Sequence, residues 1–135
     1  MAFFAKGDRS IIDCAKKRWP GCSAKVINSP FRGIGVAGPY IHKSENHEIY
    51  EKFLHLSYDI QDNLPEFSKK YPDTVFVFVE VDCSGGICHY DGYVCRNNKI
   101  LAKKEGKEAL KHLMKHLDVK LGENQFFEPF QRDFF

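Results

Sequence analysis

The hydrophobic pattern of this chain is clearest in its middle. Thr74-Val-Phe-Val-Phe-Val-Glu-Val-Asp82 is apolar at every position from Val75 to Val79. It turns polar on one side only from Glu80. A two-residue period places Phe76, Phe78, Glu80 and Asp82 on one face and Val75, Val77, Val79 and Val81 on the other. Cys-Ser-Gly-Gly-Ile follows, then a second strand-like run, Cys88-His-Tyr-Asp-Gly-Tyr-Val-Cys-Arg96. A connection this short cannot hold a parallel crossover, so the two runs form an antiparallel hairpin. Asn97-Asn98 predicts a tight turn, because Asn tolerates positive φ, into a third strand over Lys99 to Ala102.

Elsewhere the period is helical. Asp8 or Ser10 is placed to cap a helix reaching Arg18, with Ile11, Ile12, Ala15 and Trp19 on one stripe and Pro20-Gly21 ending it. Short strands are expected over Ala24 to Asn28 and Gly33 to Ala37. A helix is expected from about Asn46 to Leu56, with Ile49, Tyr50, Phe53, Leu54 and Leu56 inward. Pro65 removes a backbone donor, so a break is expected near Asn63, then a short helix to Tyr71 stopped by Pro72. A last helix runs from about Lys107 to Leu117 on Ala109, Leu110, Leu113, Met114 and Leu117. The tail from Gln125 to Phe135 is strongly aromatic and either docks on the domain or forms an interface. Together these elements predict an α+β fold in a single domain, residues 1–135. Its antiparallel sheet is centred on the 74–82/88–96 hairpin, with helices packed on one face.

Composition agrees with a globular chain: 135 residues, 43% hydrophobic and 28% charged. The net charge of +2 is too small to imply nucleic-acid binding. Its distribution says more. Lys6, Arg9, Lys16, Lys17, Arg18, Lys25 and Arg32 make the first quarter basic. Between Glu45 and Asp82, nine carboxylates stand against Lys52, Lys69 and Lys70. Either the two regions meet on the folded surface or one of them faces a charged partner. Glu48, Glu51, Asp59, Asp62 and Glu66 fall between the apolar stripes and are the partner-binding candidates. No apolar run approaches a membrane span, and the first residues do not form a secretory signal, so a cytoplasmic protein is expected. The five cysteines are an odd number and are read as reduced thiols.

Reactive side chains gather at the hairpin. Cys83, Cys88 and His89 are candidate zinc ligands, but zinc usually takes two close ligand pairs, and Cys14 with Cys22 makes a loose second pair. Cys83 with His89 and Asp91 supplies the residue types of a thiol nucleophile. Cys88 and His89 are strand neighbours and point apart. Glu80, Asp82, Gly85 and Gly86 are assigned to holding the turn. His112 and His116 lie one helical turn apart, but Leu113 stands where a metalloprotease helix carries its base. Gly33-Ile-Gly35 is a strand bend rather than a phosphate loop. No cofactor is expected.

Leu64-Pro-Glu-Phe-Ser-Lys-Lys-Tyr-Pro72, Phe78-Val-Glu-Val-Asp82, Gly85-Gly86 and the strand closed by Asn97-Asn98 resemble a group of small bacterial proteins, many of them immunity proteins of secreted polymorphic toxins. Leu117-Asp-Val and Phe127 to Arg132 sit where that group carries a closing motif. The chain departs from it at Cys83 and Ser84, where an aromatic is usual, and at Cys88-His89. The resemblance implies a non-catalytic, protein-binding domain whose partner is a secreted toxin domain, with neither nucleic acid nor membrane as partner. The alternatives are a small metal- or thiol-dependent enzyme and another protein-interaction subunit.

Overall fold

A computed structural model describes residues 1–39, 47–131 and 133–135. Six strands form one sheet: β1 (Ala2–Ala5), β2 (Ser23–Ile27), β3 (Gly33–Ala37), β4 (Phe76–Ser84), β5 (Ile87–Arg96) and β6 (Lys99–Gly106), in the order β2-β3-β1-β4-β5-β6. Every neighbouring pair is antiparallel. The predicted hairpin is β4–β5. Its connection is only Gly85-Gly86, at φ 60° and 81°. A Cβ at either position would meet nothing, so it is the positive φ of both residues, not space, that asks for glycine. Asn97 and Asn98 turn β5 into β6 at φ 49° and 64°, as expected.

Three helices accompany the sheet among the described residues: α1 (Arg9–Arg18), α2 (His47–Phe67) and α3 (Ala109–Met114). Asp8 caps α1 by accepting from the Ser10 backbone N–H. Ile11, Ile12, Ala15 and Trp19 pack with Ile60, Leu64 and Phe67 of α2 over Phe3, Val36, Phe76, Phe78 and Tyr93. The opposite face is also covered. There α3 and Phe127 of the tail pack over Phe4, Val77, Val79 and Val94. Helices therefore lie on both faces rather than one, because β4 is apolar on both sides along Phe76 to Val79. The tail docks: Phe127, Phe130 and Phe135 gather around Phe4, with centroids 5.1, 5.6 and 6.4 Å away. The Lys25 ammonium donates to the Phe134 carbonyl at 2.7 Å.

Two further corrections concern α2 and β1. The expected break near Asn63 is absent, and α2 runs on to Phe67 with Pro65 inside it. Proline cannot donate to the carbonyl four residues back, here that of Gln61. The Tyr93 hydroxyl donates to that carbonyl instead. Burial pushes the Tyr93 hydroxyl well above the ordinary tyrosine range, with Cys95 and Asp62 adding to the effect, so it stays a donor. The Ser68 hydroxyl donates to the Pro65 carbonyl at 2.5 Å and receives the Asn98 N–H at 3.0 Å. The second correction is β1, a strand that the sequence pattern does not announce and that lies in the middle of the sheet. The expected helix start at Asn46 lies outside the described residues. The last helix is shorter than expected, continuing only as a 3-10 turn over Lys115–Leu117.

Phe78 is 1% exposed and stacks on Tyr93 at 5.2 Å, so Phe78→Ala is expected to cost ~3–5 kcal/mol in denaturant unfolding. Tyr93→Phe keeps that stack but strands the Gln61 carbonyl, for a loss of ~1–3 kcal/mol. In a Pro65→Ala background the new N–H can reach Gln61, and the same substitution should cost measurably less. Equal losses in both backgrounds would refute the Tyr93–Gln61 account.

Candidate functional site

The helix face of β4 continues past Phe78 as Glu80 and Asp82, and α2 does not cover them. Register fixes their neighbours. Glu80 pairs with Asp91, Asp82 pairs with His89, and Asp91 pairs across its other side with Glu105 of β6. Glu80, Asp91 and Glu105 thus form a ladder across three adjacent strands, with Asp82 and His89 one step beyond. Together with Tyr90 and Gly106 they line an open cleft of about 550 Å³. Glu80 is half-buried, and the other three carboxylates and His89 are exposed. Glu80 also borders a second cleft, lined by Tyr50, Phe53, Leu54 and Ser57 of α2.

A β-bulge creates this arrangement. A regular ladder from the Asn97-Asn98 turn would set Asp91 opposite Lys104. The register instead shifts between Val94 and Cys95, so Ile100 faces Cys95, Ala102 faces Val94 and Leu101 is the extra residue. Lys104 moves opposite Gly92, and Glu105 arrives opposite Asp91. An attractive cross-strand pair is exchanged for a repulsive one. Among the described residues none of the four carboxylates enters a salt bridge, although Glu80 acts electrostatically on the Met1 ammonium. The pairs are Lys6–Asp118, Arg18–Asp59, His47–Glu51 and Lys111–Glu108.

The α2 candidates share one stripe. Glu48, Glu51, Asp59, Asp62 and Glu66 follow at steps of three, eight, three and four residues, close to whole turns, so they lie along one face of the helix. Glu48, Glu51, Asp62 and Glu66 are exposed. Asp59 is engaged within the fold, receiving both Arg18 terminal nitrogens at 3.1 and 3.3 Å. That pair joins α1 to α2 and satisfies part of the basic first quarter, as does Lys6 with Asp118. Glu45 of the acidic segment lies outside the described residues.

The thiol reading is corrected. Cys83 and Cys88 are joined by a disulfide, with Cα atoms 4.0 Å apart; they are register partners on one face of the hairpin. Cys14, Cys22 and Cys95 are free. His89 is the partner of Asp82, so it points to the face opposite the Cys83 sulfur, and Cys83 does not meet His89 and Asp91 as a nucleophile with its base. Among the described residues no three His, Cys, Asp or Glu side chains converge as a metal requires, so Cys83, Cys88 and His89 do not form the ligand set considered for zinc. The turn rests on Gly85 and Gly86, while Glu80 and Asp82 line the cleft. Glu105 is not among the sequence candidates, because the sequence pattern ends the third strand at Ala102 while β6 runs to Gly106; the signal that finds it is strand register. No helix among the described residues is long and apolar enough to cross a membrane.

No family model, curated protein or solved structure matches the chain.

Glu105→Lys should relieve the repulsion opposite Asp91 and raise unfolding stability by ~0.2–1 kcal/mol. Salt screens such surface terms, so the gain should shrink at high ionic strength. A destabilised Glu105→Lys variant at low salt would contradict the ladder.

Proposed function

We propose that this chain is a non-catalytic protein-binding domain, and that it acts as an immunity protein neutralising a cognate bacterial toxin through its acidic face. The observation that carries the reading is the ladder Glu80–Asp91–Glu105 with Asp82. Among the described residues only Glu80 of the four feels a nearby cation, the Met1 ammonium; carboxylates paired on adjacent strands oppose folding, and a basic protein surface would supply the remaining counter-charges. Small-molecule sites enclose most of their ligand in a largely apolar pocket, whereas this cleft is open and its walls are mainly charged. An acidic surface also repels the phosphates of nucleic acid. The stripe Glu48, Glu51, Asp62 and Glu66 extends the same sign of charge along α2. Opposite fields speed encounter and exclude wrong partners, which suits a protein that must intercept a toxin quickly.

The test is binding and protection against a toxin domain encoded beside the gene. Two sets of charge reversals separate the surfaces: Asp82, Asp91 and Glu105 to Lys, and Glu48, Glu51, Asp62 and Glu66 to Lys. Reversal of the ladder set is expected to weaken binding on the order of tenfold or more, mostly through slower, salt-dependent association. If neither set changes affinity while the fold is kept, the acidic face is not the interface. Absence of binding and protection with every such toxin domain would sink the immunity reading.

A further inference from the structure

We propose that Cys83 and Cys88 are a reversible thiol–disulfide site at the open tip of the β4–β5 hairpin, reduced by an external dithiol while the domain stays folded. Four observations lead there. Cys83 is exposed and Cys88 half-buried, and Ser84, Gly85, Gly86 and Ile87 beyond them are all exposed. The bond spans a sequence separation of five, the short-loop case in which a crosslink removes least entropy from the unfolded chain. The same strands are already held by register pairs from Phe76↔Cys95 to Asp82↔His89 and by the glycine turn. Exposed disulfides that the fold does not depend on are the exchangeable ones.

The fourth observation concerns the remaining thiols. Cys95 is buried on the opposite face of the sheet, packed with Phe76, Tyr93 and Trp19, and burial pushes its thiol up to about 11. Cys14 and Cys22 pack at the margin of that same face, and burial raises the Cys22 thiol. No thiol of this chain is therefore placed to attack the bond, and the electrons must come from outside. One thiolate of a dithiol attacks one sulfur and forms a mixed disulfide, and the other cysteine leaves as a thiolate and takes a proton. The second thiol of the donor then attacks its own mixed disulfide and releases the second cysteine. The donor ends as a disulfide and the protein as two thiols, a transfer of two electrons and two protons. Asp82 and His89 are the chain neighbours of the two cysteines, one register pair inward, so reduction loosens the backbone at the outer end of the acidic cleft and leaves its Glu80–Asp91–Glu105 base in place.

The experiment uses the full chain, air-oxidised and then treated with millimolar dithiothreitol in native buffer. Alkylation with mass spectrometry reads which cysteines open, and amide hydrogen exchange reads where protection is lost. Expected are alkylation of both Cys83 and Cys88 with Cys95 unlabelled, unchanged far-UV circular dichroism, and protection lost only around residues 82–89. Oxidised glutathione should restore the bond and the protection. The Cys83→Ser, Cys88→Ser double variant should fold and reproduce the exchange pattern of the reduced protein. The proposal is overturned if the two cysteines are alkylated only once denaturant unfolds the chain, or if the bond does not form in air. It is equally overturned if reduction melts the domain, if the double variant cannot fold, or if exchange at the tip is the same in both redox states.

Discussion

The structure depends on four residues. Ala2 to Ala5 form β1, which bridges β3 and β4 and is buried along its whole length. Without it β2–β3 and β4–β5–β6 would be two separate pieces of antiparallel sheet. Phe3 and Phe4 point to opposite sides and each anchors one layer. Phe3 sits among Trp19, Phe67 and Phe76, at centroid distances of 5.9, 6.3 and 6.0 Å. Phe4 sits among the tail aromatics. Gly35 lies opposite Phe4, and a Cβ there would come within 2.9 Å of Ile27 and Phe135 and 3.1 Å of Phe4. The missing side chain is what lets the tail close over the strand.

A second constraint sets where α2 lies, and so which part of the sheet stays open. Pro65 costs the helix one donor, and Tyr93 supplies it from β5. That bond pins α2 above the Phe78–Tyr93 stack, while the sheet continues past it as Glu80, Asp82, His89 and Asp91. The cleft is the part of β4, β5 and β6 that outruns the helix covering them. Its charges are tolerated there because water reaches them, whereas the same carboxylates two register steps inward would be desolvated under α2.

What could be read from the sequence follows from how local each signal is. The glycine and asparagine turns fix the β4–β5–β6 meander, because each is a few residues long and each demands positive φ. The strand at Gly33–Ala37 and the Asp8 cap are equally local. β1 was illegible: four residues, all apolar, carry neither a two-residue nor a helical period, and only partners distant in the chain define them as a strand. Pro65 reads as a break because the hydroxyl that rescues it is twenty-eight positions away, at Tyr93. The disulfide is hidden by the cysteine count. An odd number of cysteines excludes complete pairing, but it does not stop two that face each other across a hairpin from pairing. The two carboxylates of β4 stood out as a group, but the ladder needed the bulge at Leu101, which no local pattern encodes.

That bulge links the core to the proposed interface. A regular register was available from the Asn97-Asn98 turn and would have set Asp91 against Lys104. The observed register sets Ala102 opposite Val94, on the side where α3 packs, and leaves Leu101 as the unpaired residue at the edge. The same shift brings Glu105 to Asp91. One irregularity therefore serves the core on one face of β6 and concentrates negative charge on the other. Packing beneath α3 holds a repulsive pair in place that surface electrostatics alone would not assemble. For the proposed interface such a surface would be preorganised: its carboxylates are already gathered by the fold, and contact with a cationic partner would relieve the repulsion between them. Under that proposal, binding energy that would otherwise be spent gathering these charges would remain available for affinity.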